Sequence, residues 1–142
     1  MGPLLLDVNA LLALAWPNHQ FHGTIVERLE RRPLARWATC ALTQLGFVRL
    51  SANPAAVGRA RSPREAAILL GELVKDPQHK LIELLPGIPS LPAAFDRVLG
   101  HGQVTDAYLV ALARRHRATL LTFDSRLRAI AGADGVVEVP VS

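Results

Sequence analysis

Short apolar runs alternate with segments of helical periodicity along most of the chain. Runs of four to six mostly hydrophobic residues between turn residues are typical of buried strands. Strands are predicted at residues 4–7, 34–38, 80–85, 118–123 and 136–139. Because strands that alternate with helices favour a parallel sheet covered on both faces, we expect a three-layer α/β/α domain with a mostly parallel central sheet.

The segments between these runs carry helix signals. Pro17 and Pro33 end two of them, and Ser62-Pro63 with Glu65 combines a capping residue, a first-turn proline and early negative charge. Helices are predicted at residues 10–16, 19–32, 39–50, 62–75, 91–99, 104–116 and 124–130. The segment 104–116 has the clearest apolar side, and arginines gather at its end, where they favour the helix dipole.

Size and cysteine content indicate the class of protein. The chain has 142 residues and half of them are hydrophobic, which suits one compact domain over residues 1–142. The single cysteine, Cys40, cannot form an intramolecular disulfide, and this favours a reducing compartment. The apolar segment 4–16 has no basic stretch before it and is too short to span a bilayer. We therefore expect a cytoplasmic protein without a membrane partner.

The formal net charge is +4, and arginine supplies nearly all of the positive charge. The arginines cluster at residues 28–36, 59–64 and 114–117. Such clusters suit a polyanionic partner such as nucleic acid, or an acidic protein segment. Charge alone is equally consistent with a solvated, arginine-rich surface.

Three aspartates stand where a ligand site is expected. Asp7 and Asp124 directly follow predicted strands, and Asp106 lies in the first turn of the helix that precedes the Asp124 strand. Ligands of open parallel sheets bind outside the carboxyl ends of the strands, so the three carboxylates can converge there. Because packed like charges need a neutralising cation, and because no His or Cys cluster has zinc spacing, oxygen donors of this kind favour Mg²⁺ or Mn²⁺.

Each acid also has a purely structural explanation. Asp7 could simply end a strand, Asp124 could cap a helix, and Asp106 could interact with a helix dipole. Their joint occurrence in this order is what favours a common site.

Four motifs resemble the PIN-domain VapC toxins of type II toxin–antitoxin systems. They are LLLDVNAL at residues 4–11, TQLGFVRLS at 43–51 followed by Asn53-Pro54, QVTDAYL at 103–109 and LTFD at 121–124. The resemblance runs over nearly the whole chain. It implies a PIN-like fold and a Mg²⁺- or Mn²⁺-dependent endoribonuclease, usually a homodimer, that a VapB-like antitoxin inhibits by occupying the active-site groove. The implied RNA substrates are structured, such as tRNA or ribosomal RNA.

The resemblance also assigns roles by position. Asp7, Asp106 and Asp124 correspond to the catalytic metal ligands. The polar side chains beside them are candidate helpers, namely Asn9, Thr105, Thr122 and Ser125. The basic side chains that are candidate RNA contacts are Arg49, Arg114, Arg115 and Arg117.

The chain departs from the family at Gln44, which aligns with the family's usual glutamate. An amide can coordinate or donate a hydrogen bond as a polar helper, but it brings no negative charge, so a second metal site is in doubt. Gln44 is also the best argument for an alternative, a catalytically impaired PIN-fold module that binds RNA or protein. Another alternative is a haloacid-dehalogenase-like phosphatase with Asp7 as nucleophile, although that class requires a second aspartate where Asn9 stands.

Overall fold

The computed structural model of the chain describes residues 2–58 and 61–141. Its strands are β1 (Leu4–Leu6), β2 (Trp37–Cys40), β3 (His79–Ile82), β4 (Thr119–Leu121) and β5 (Val137–Glu138). They form one sheet in the order β3-β2-β1-β4-β5, and each neighbouring pair is parallel. The chain builds the sheet outward from β1 in one direction and then resumes on its other side with β4. The topological switch point therefore lies between β1 and β4.

The helices fill the connections between these strands. They are α1 (Val8–Ala15), α2 (His22–Glu30), α3 (Ala41–Ser51), α4 (Pro54–Val57), α5 (Pro63–Leu73), α6 (Val104–Arg115) and α7 (Leu127–Ala131). Short 3-10 turns occupy Ile88–Ser90, Pro92–Phe95 and His101–Gln103. Among the described residues, no helix is long and apolar enough to cross a membrane.

The central strand β1 shows how the layers form. All three of its leucines are buried, and alternate side chains point to opposite faces of the sheet. Leu4 and Leu6 pack in a core with buried residues of α1, α2, α3 and α5, whereas Leu5 packs with residues of α6 and α7. Apolar side chains on both faces must be covered, and this confirms the predicted α/β/α layering.

Two predicted strands differ from the structure, one in its bounds and the other in its bounds and its burial. β2 begins at Trp37, because residues 34–36 remain outside the sheet after Pro33. The third strand was predicted at 80–85 as a buried strand, but β3 ends at Ile82 and lies at the edge of the sheet with Lys80 and Leu81 exposed. Because β3 is an outer strand, most of its side chains are not covered by the core, and only Ile82 is buried.

The predicted helix at 91–99 was also wrong, because the structure has a 3-10 turn at Pro92–Phe95 instead. The Ala94 amide donates to the Leu91 carbonyl oxygen and the Asp96 amide to the Ala93 carbonyl oxygen, so the hydrogen bonds here follow the 3-10 pattern. Conversely, the capping box at Ser62 and Glu65 is present, with the Glu65 amide donating to Ser62 Oγ over 3.1 Å. Helix α5 begins where its capping signal predicted.

Candidate active site

Asp7 stands at the end of β1 and caps α1. Its backbone N–H donates to the Leu121 carbonyl oxygen of β4 over 2.9 Å, so the residue sits at the switch point itself. The Val8 amide donates to Oδ1 over 2.7 Å and the Thr122 hydroxyl donates to Oδ2 over 2.9 Å. The side chain is 6% exposed. Burial raises the pKa of Asp7, while the two hydrogen bonds oppose that rise.

The polar neighbours of Asp7 link the end of β4 to the start of α1. Asn9 Oδ1 accepts a hydrogen bond from the Phe123 amide over 3.1 Å. Thr122 is fully buried, and its Oγ1 accepts from the Asp124 amide over 3.1 Å while its hydroxyl donates to Asp7. Thr122 thus contacts both aspartates that follow the central strands. Two of the candidate helpers, Asn9 and Thr122, therefore lie at the site.

Asp106 lies in the first turn of α6 and is half-buried. Burial raises the pKa of its carboxyl to about 6, and the charges of Asp7 and Asp124 contribute further to the rise. Like charges act on one another in this way only when they are close, so the three carboxylates form one electrostatic cluster. The sequence predicted this convergence from the strand ends and the direction of α6.

Asp124 is bound by an arginine that the sequence analysis did not single out. Arg126 donates from Nε to Oδ1 over 2.9 Å and from Nη2 to Oδ2 over 2.8 Å, and its backbone amide also donates to Oδ1. These contacts lower the pKa of Asp124. The Arg126 side chain is 81% exposed. An arginine two residues after a strand-end aspartate was the available signal.

A small cleft of about 140 Å³ opens beside these groups, and we call it the acid cleft. It is lined by Gly102, Gln103, Asp106, Asp124, Arg126, Leu127 and Ile130. Leu127 and Ile130 belong to α7, which begins later than predicted because Asp124 and Ser125 form a turn before it. Asp7 does not line the cleft, although its charge acts on Asp106.

The donor atoms of the cluster suit a hard divalent cation, because they are carboxylate oxygens and each carboxylate raises the cost of ionising another. In this conformation, no group of three His, Cys, Asp or Glu side chains within residues 2–58 and 61–141 is arranged to hold an ion. The fork between Arg126 and Asp124 engages both oxygens of one of the three carboxylates. The chemistry of the donors therefore fits a metal, but in this arrangement both oxygens of Asp124 are held by Arg126.

The remaining helper candidates lie elsewhere or are exposed. Gln44 donates from Nε2 to Thr39 Oγ1 over 3.0 Å and lines an apolar groove between α3 and α5 rather than the acid cleft. Thr105 and Ser125 neighbour Asp106 and Asp124 in sequence, and both are exposed. Neither residue lines the acid cleft.

The candidate RNA contacts are distributed away from the acids. Arg114 forms an ion pair with Asp134 over 2.7 Å and contacts the Ala131 carbonyl oxygen, so its guanidinium has partners within the fold. Arg115 and Arg117 are exposed at the C-terminal end of α6, opposite the turn that carries Asp106. Arg49 is exposed in the last turn of α3. Asp106 is in the first turn of α6 and Arg114 and Arg115 are in its last turn, so the length of the helix separates these arginines from the acid cleft.

Comparison with known proteins identifies the family of the chain. The family model described as PIN domain matches residues 4–133. Three relatives come from Mycobacterium tuberculosis. Ribonuclease VapC38 is 40% identical and the match covers 85% of this chain and 84% of that protein. Ribonuclease VapC44 is 38% identical over 91% and 92% of the two chains, and Ribonuclease VapC39 is 37% identical over 95% and 97%.

A solved structure supports the fold. The crystal structure of PAE2754 from Pyrobaculum aerophilum superimposes with a TM-score of 0.62, covering 96% of this chain and 83% of that chain. The two sequences are 22% identical. At this identity the similarity concerns the fold alone.

Proposed function

Because the chain belongs to the PIN-domain family and to its VapC branch, we propose that it is a divalent-metal-dependent endoribonuclease and the toxin of a toxin–antitoxin pair. The proposed substrate is a phosphodiester bond of structured RNA such as tRNA or ribosomal RNA. One observation carries the proposal in the structure. Asp106 and Asp124 line one cleft and Thr122 links Asp124 to Asp7 at the switch point of the sheet, so a cation placed there would relieve the repulsion between these acids.

In this proposal Asp7, Asp106 and Asp124 hold the cation directly or through water. A bound Mg²⁺ or Mn²⁺ supplies polarisation of the phosphoryl oxygen and a lowered pKa for the attacking water. The chain itself supplies position, because the Thr122 hydroxyl and the Val8 amide fix both oxygens of Asp7. Asn9 holds the backbone at Phe123, which keeps the end of β4 beside α1. No side chain is required as a nucleophile.

The decisive experiment is cleavage of labelled tRNA by the purified protein, freed of any bound partner, with Mg²⁺ or Mn²⁺ and with EDTA. We expect cleavage with either metal and none with the chelator. The Asp7→Asn protein, purified identically, controls for contaminating nucleases. RNA cleavage that survives complete metal removal would refute the metal dependence. Cleavage of p-nitrophenyl phosphate without cleavage of RNA would refute the ribonuclease and favour the phosphatase alternative.

The alternative of a non-catalytic binding module rests on Gln44. Its amide is engaged with Thr39 and adds no charge to the cluster. If this alternative is correct, the protein binds tRNA in EDTA and leaves it intact in Mg²⁺ and Mn²⁺. The same cleavage assay with a parallel binding measurement therefore separates the module from the enzyme.

We infer a VapB-like antitoxin as the protein partner, acting in the cytoplasm. The contact between Arg126 and Asp124 supports this inference, because a guanidinium already forms a two-bond fork on a carboxylate of the cluster. An antitoxin arginine would occupy the acid cleft in the same manner. Co-purification with the product of a neighbouring gene, abolished when its C-terminal arginines are replaced, is the expected result. Absence of binding would count against the toxin role and leave the nuclease untouched.

We also infer a homodimer that uses the apolar groove between α3 and α5, which has a volume of about 480 Å³. Leu45 lines this groove and is 67% exposed. Sedimentation of Leu45→Glu should show a monomer. Leu99→Glu is the matched control, since Leu99 is 92% exposed and does not line that groove. Dimers in both variants would refute this interface.

A further inference from the structure

A second groove, of about 500 Å³, lies at the other end of the sheet, and we call it the basic groove. It is lined by Gly2, Pro3, Arg28, Arg31, Arg32, Pro33, Leu34, Ala35, Arg36 and Lys80. Pro3 and Arg36 directly precede β1 and β2, and Lys80 is the second residue of β3. Because the strands are parallel, their N-terminal ends lie on the same side of the sheet. The basic groove is therefore beside the N-terminal ends of the strands, and the acid cleft is beside their carboxyl ends.

The lining of this groove carries four arginines and a lysine and no carboxylate. Arg28 has a partner, since its Nη2 donates to Glu138 Oε1 over 3.0 Å, and Arg36 donates to the His79 carbonyl oxygen over 3.0 Å. Arg31, Arg32 and Lys80 form no ion pair within the described part of the chain. Several cations in one concave surface repel each other, and an anionic ligand would remove that repulsion.

The other lining residues indicate which part of a nucleic acid fits. Pro3, Pro33, Leu34 and Ala35 are small or aliphatic, and no aromatic ring lines the groove. Unstacked bases are usually held by aromatic side chains, which are missing from this lining. Guanidinium groups, in contrast, match the geometry of phosphate oxygens with two parallel hydrogen bonds. The chemistry therefore favours backbone phosphates over bases.

We propose that the basic groove docks the sugar-phosphate backbone of folded RNA, without reading its sequence, at a site separate from the acid cleft. The RNA ligand in this inference rests on the proposed function. β1 and β2 are three and four residues long, so each of these strands spans only about 10–13 Å from its start to its end. A folded RNA held in the groove can thus reach the acids around the flank of the domain, whereas a short fragment can occupy only one of the two sites.

The test removes three cations from the groove in Arg31→Ala/Arg32→Ala/Lys80→Ala. Binding of a fluorescent RNA hairpin of about 16 base pairs, the span of a double-stranded RNA module, is measured by anisotropy in EDTA at several KCl concentrations. We expect affinity to fall about tenfold or more, and the slope of log affinity against log salt to decrease by about one for each phosphate that the variant no longer neutralises. Arg31→Lys/Arg32→Lys retains charge and should fall between the native protein and the triple variant.

The matched control is Arg64→Ala/Lys75→Ala/Arg97→Ala, which removes three exposed cations that do not line the groove. Equal losses of affinity in both triple variants, or native affinity in the groove variant, overturn the docking site. Binding of polyglutamate that is abolished in the groove variant while hairpin binding is retained also overturns it, in favour of an acidic protein. Hairpin binding that follows the groove, in a protein that cleaves no RNA with Mg²⁺ or Mn²⁺, supports the docking site while the proposed nuclease fails.

Discussion

Asp7 directly follows β1, and Asp124 lies three residues beyond the end of β4 rather than directly after it as predicted, yet the two are held by different means. Asp7 is buried, and its two oxygens accept from a backbone amide and from the buried Thr122 hydroxyl. Asp124 is held by Arg126, whose side chain is almost fully exposed. One carboxylate is fixed by the fold, and the other is fixed by a flexible surface side chain.

This difference suggests a division of labour within the cluster. Hydrogen bonds inside the protein cannot exchange with water, so the position of Asp7 is set when the chain folds. An exposed arginine pair contributes little net energy and exchanges readily, so Asp124 can leave Arg126 when a stronger cation arrives. We expect Asp7 to define the site and Asp124 to respond to its occupant.

The largest effect is expected for Asp7→Asn, which retains size and removes one charge. RNA cleavage should fall at least about a hundredfold, because loss of one interaction that stabilises the transition state commonly costs this much. Folding should be retained, since burial already disfavours the charged form of Asp7. Cleavage rates, calorimetric Mn²⁺ titration and circular dichroism provide the measurements. A folded Asp7→Asn protein with native activity would remove Asp7 from the proposed site.

The next effect concerns the group that fixes Asp7. Thr122→Val removes the donor to Asp7 and the acceptor of the Asp124 amide from a buried position, so the free energy of unfolding should fall by about 1–3 kcal/mol. Cleavage should fall about tenfold, because Thr122 orients a proposed metal ligand. Thr122→Ser keeps the hydroxyl and should stay near native in urea unfolding and in cleavage. If Val and Ser behave alike, the hydroxyl does not position Asp7.

A smaller effect is expected on the other side of the comparison. Arg126→Gln releases Asp124, so the pKa of Asp124 should rise toward the ordinary value and Mn²⁺ affinity should increase by up to about fivefold, the upper range for an exposed ion pair. Arg128→Gln, on the same short helix, is the control for lost positive charge. Calorimetric titration checks both. Unchanged or weaker Mn²⁺ binding in Arg126→Gln would show that Arg126 does not compete with the ion.

The smallest effect is a pH dependence of stability in the metal-free protein. The pKa of Asp106 is about 6 when folded and 3.8 ordinarily, so the folded chain keeps a proton that the unfolded chain releases. Stability from this group is full below pH of about 4 and is lost as pH rises to about 6. Relative to Asp106→Asn, the native protein should lose about 1 kcal/mol across this window, after allowance for solvent screening.

Urea unfolding in EDTA at several pH values measures this difference. Asp134→Asn is a control of opposite sign, because the ion pair with Arg114 lowers the pKa of Asp134. Its stabilising contribution is present at neutral pH and is lost as pH falls below the ordinary value. Parallel profiles for native protein and Asp106→Asn would contradict the coupling of the carboxylates.

Much of the fold was predictable because it depends on local pattern. Buried strands such as β1 and β4 are continuous apolar runs, and the box at Ser62 marks the start of α5. The edge position of β3 depends on strand order, which no local pattern encodes. The wrong prediction of a helix at 91–99 agreed with the local pattern, because a proline in the first turn, such as Pro63 in α5, is compatible with an α-helix.

Some features of the candidate site could likewise be predicted from the sequence, and others depend on tertiary contacts. The positions of Asp7, Asp106 and Asp124 near the carboxyl ends of β1 and β4 could be predicted from the sequence, but of the three only Asp106 and Asp124 line the acid cleft, and the metal site stays a prediction. The orientation of Gln44 did not follow, because it is set by a hydrogen bond to Thr39 on the preceding strand. Arg126 was not predicted as a site residue, because only the structure shows which carboxylate a surface arginine contacts.

The two outer strands of the sheet bear on how copies of this chain can associate. β5 has two residues, and β3 carries the exposed Lys80. A short strand and a charged strand are poor templates for the backbone hydrogen bonds by which one sheet extends into another. Sheet-to-sheet joining, the route to fibrous aggregation, is therefore disfavoured at both sides. Association through a helical surface, such as the apolar groove between α3 and α5, uses side-chain contacts instead.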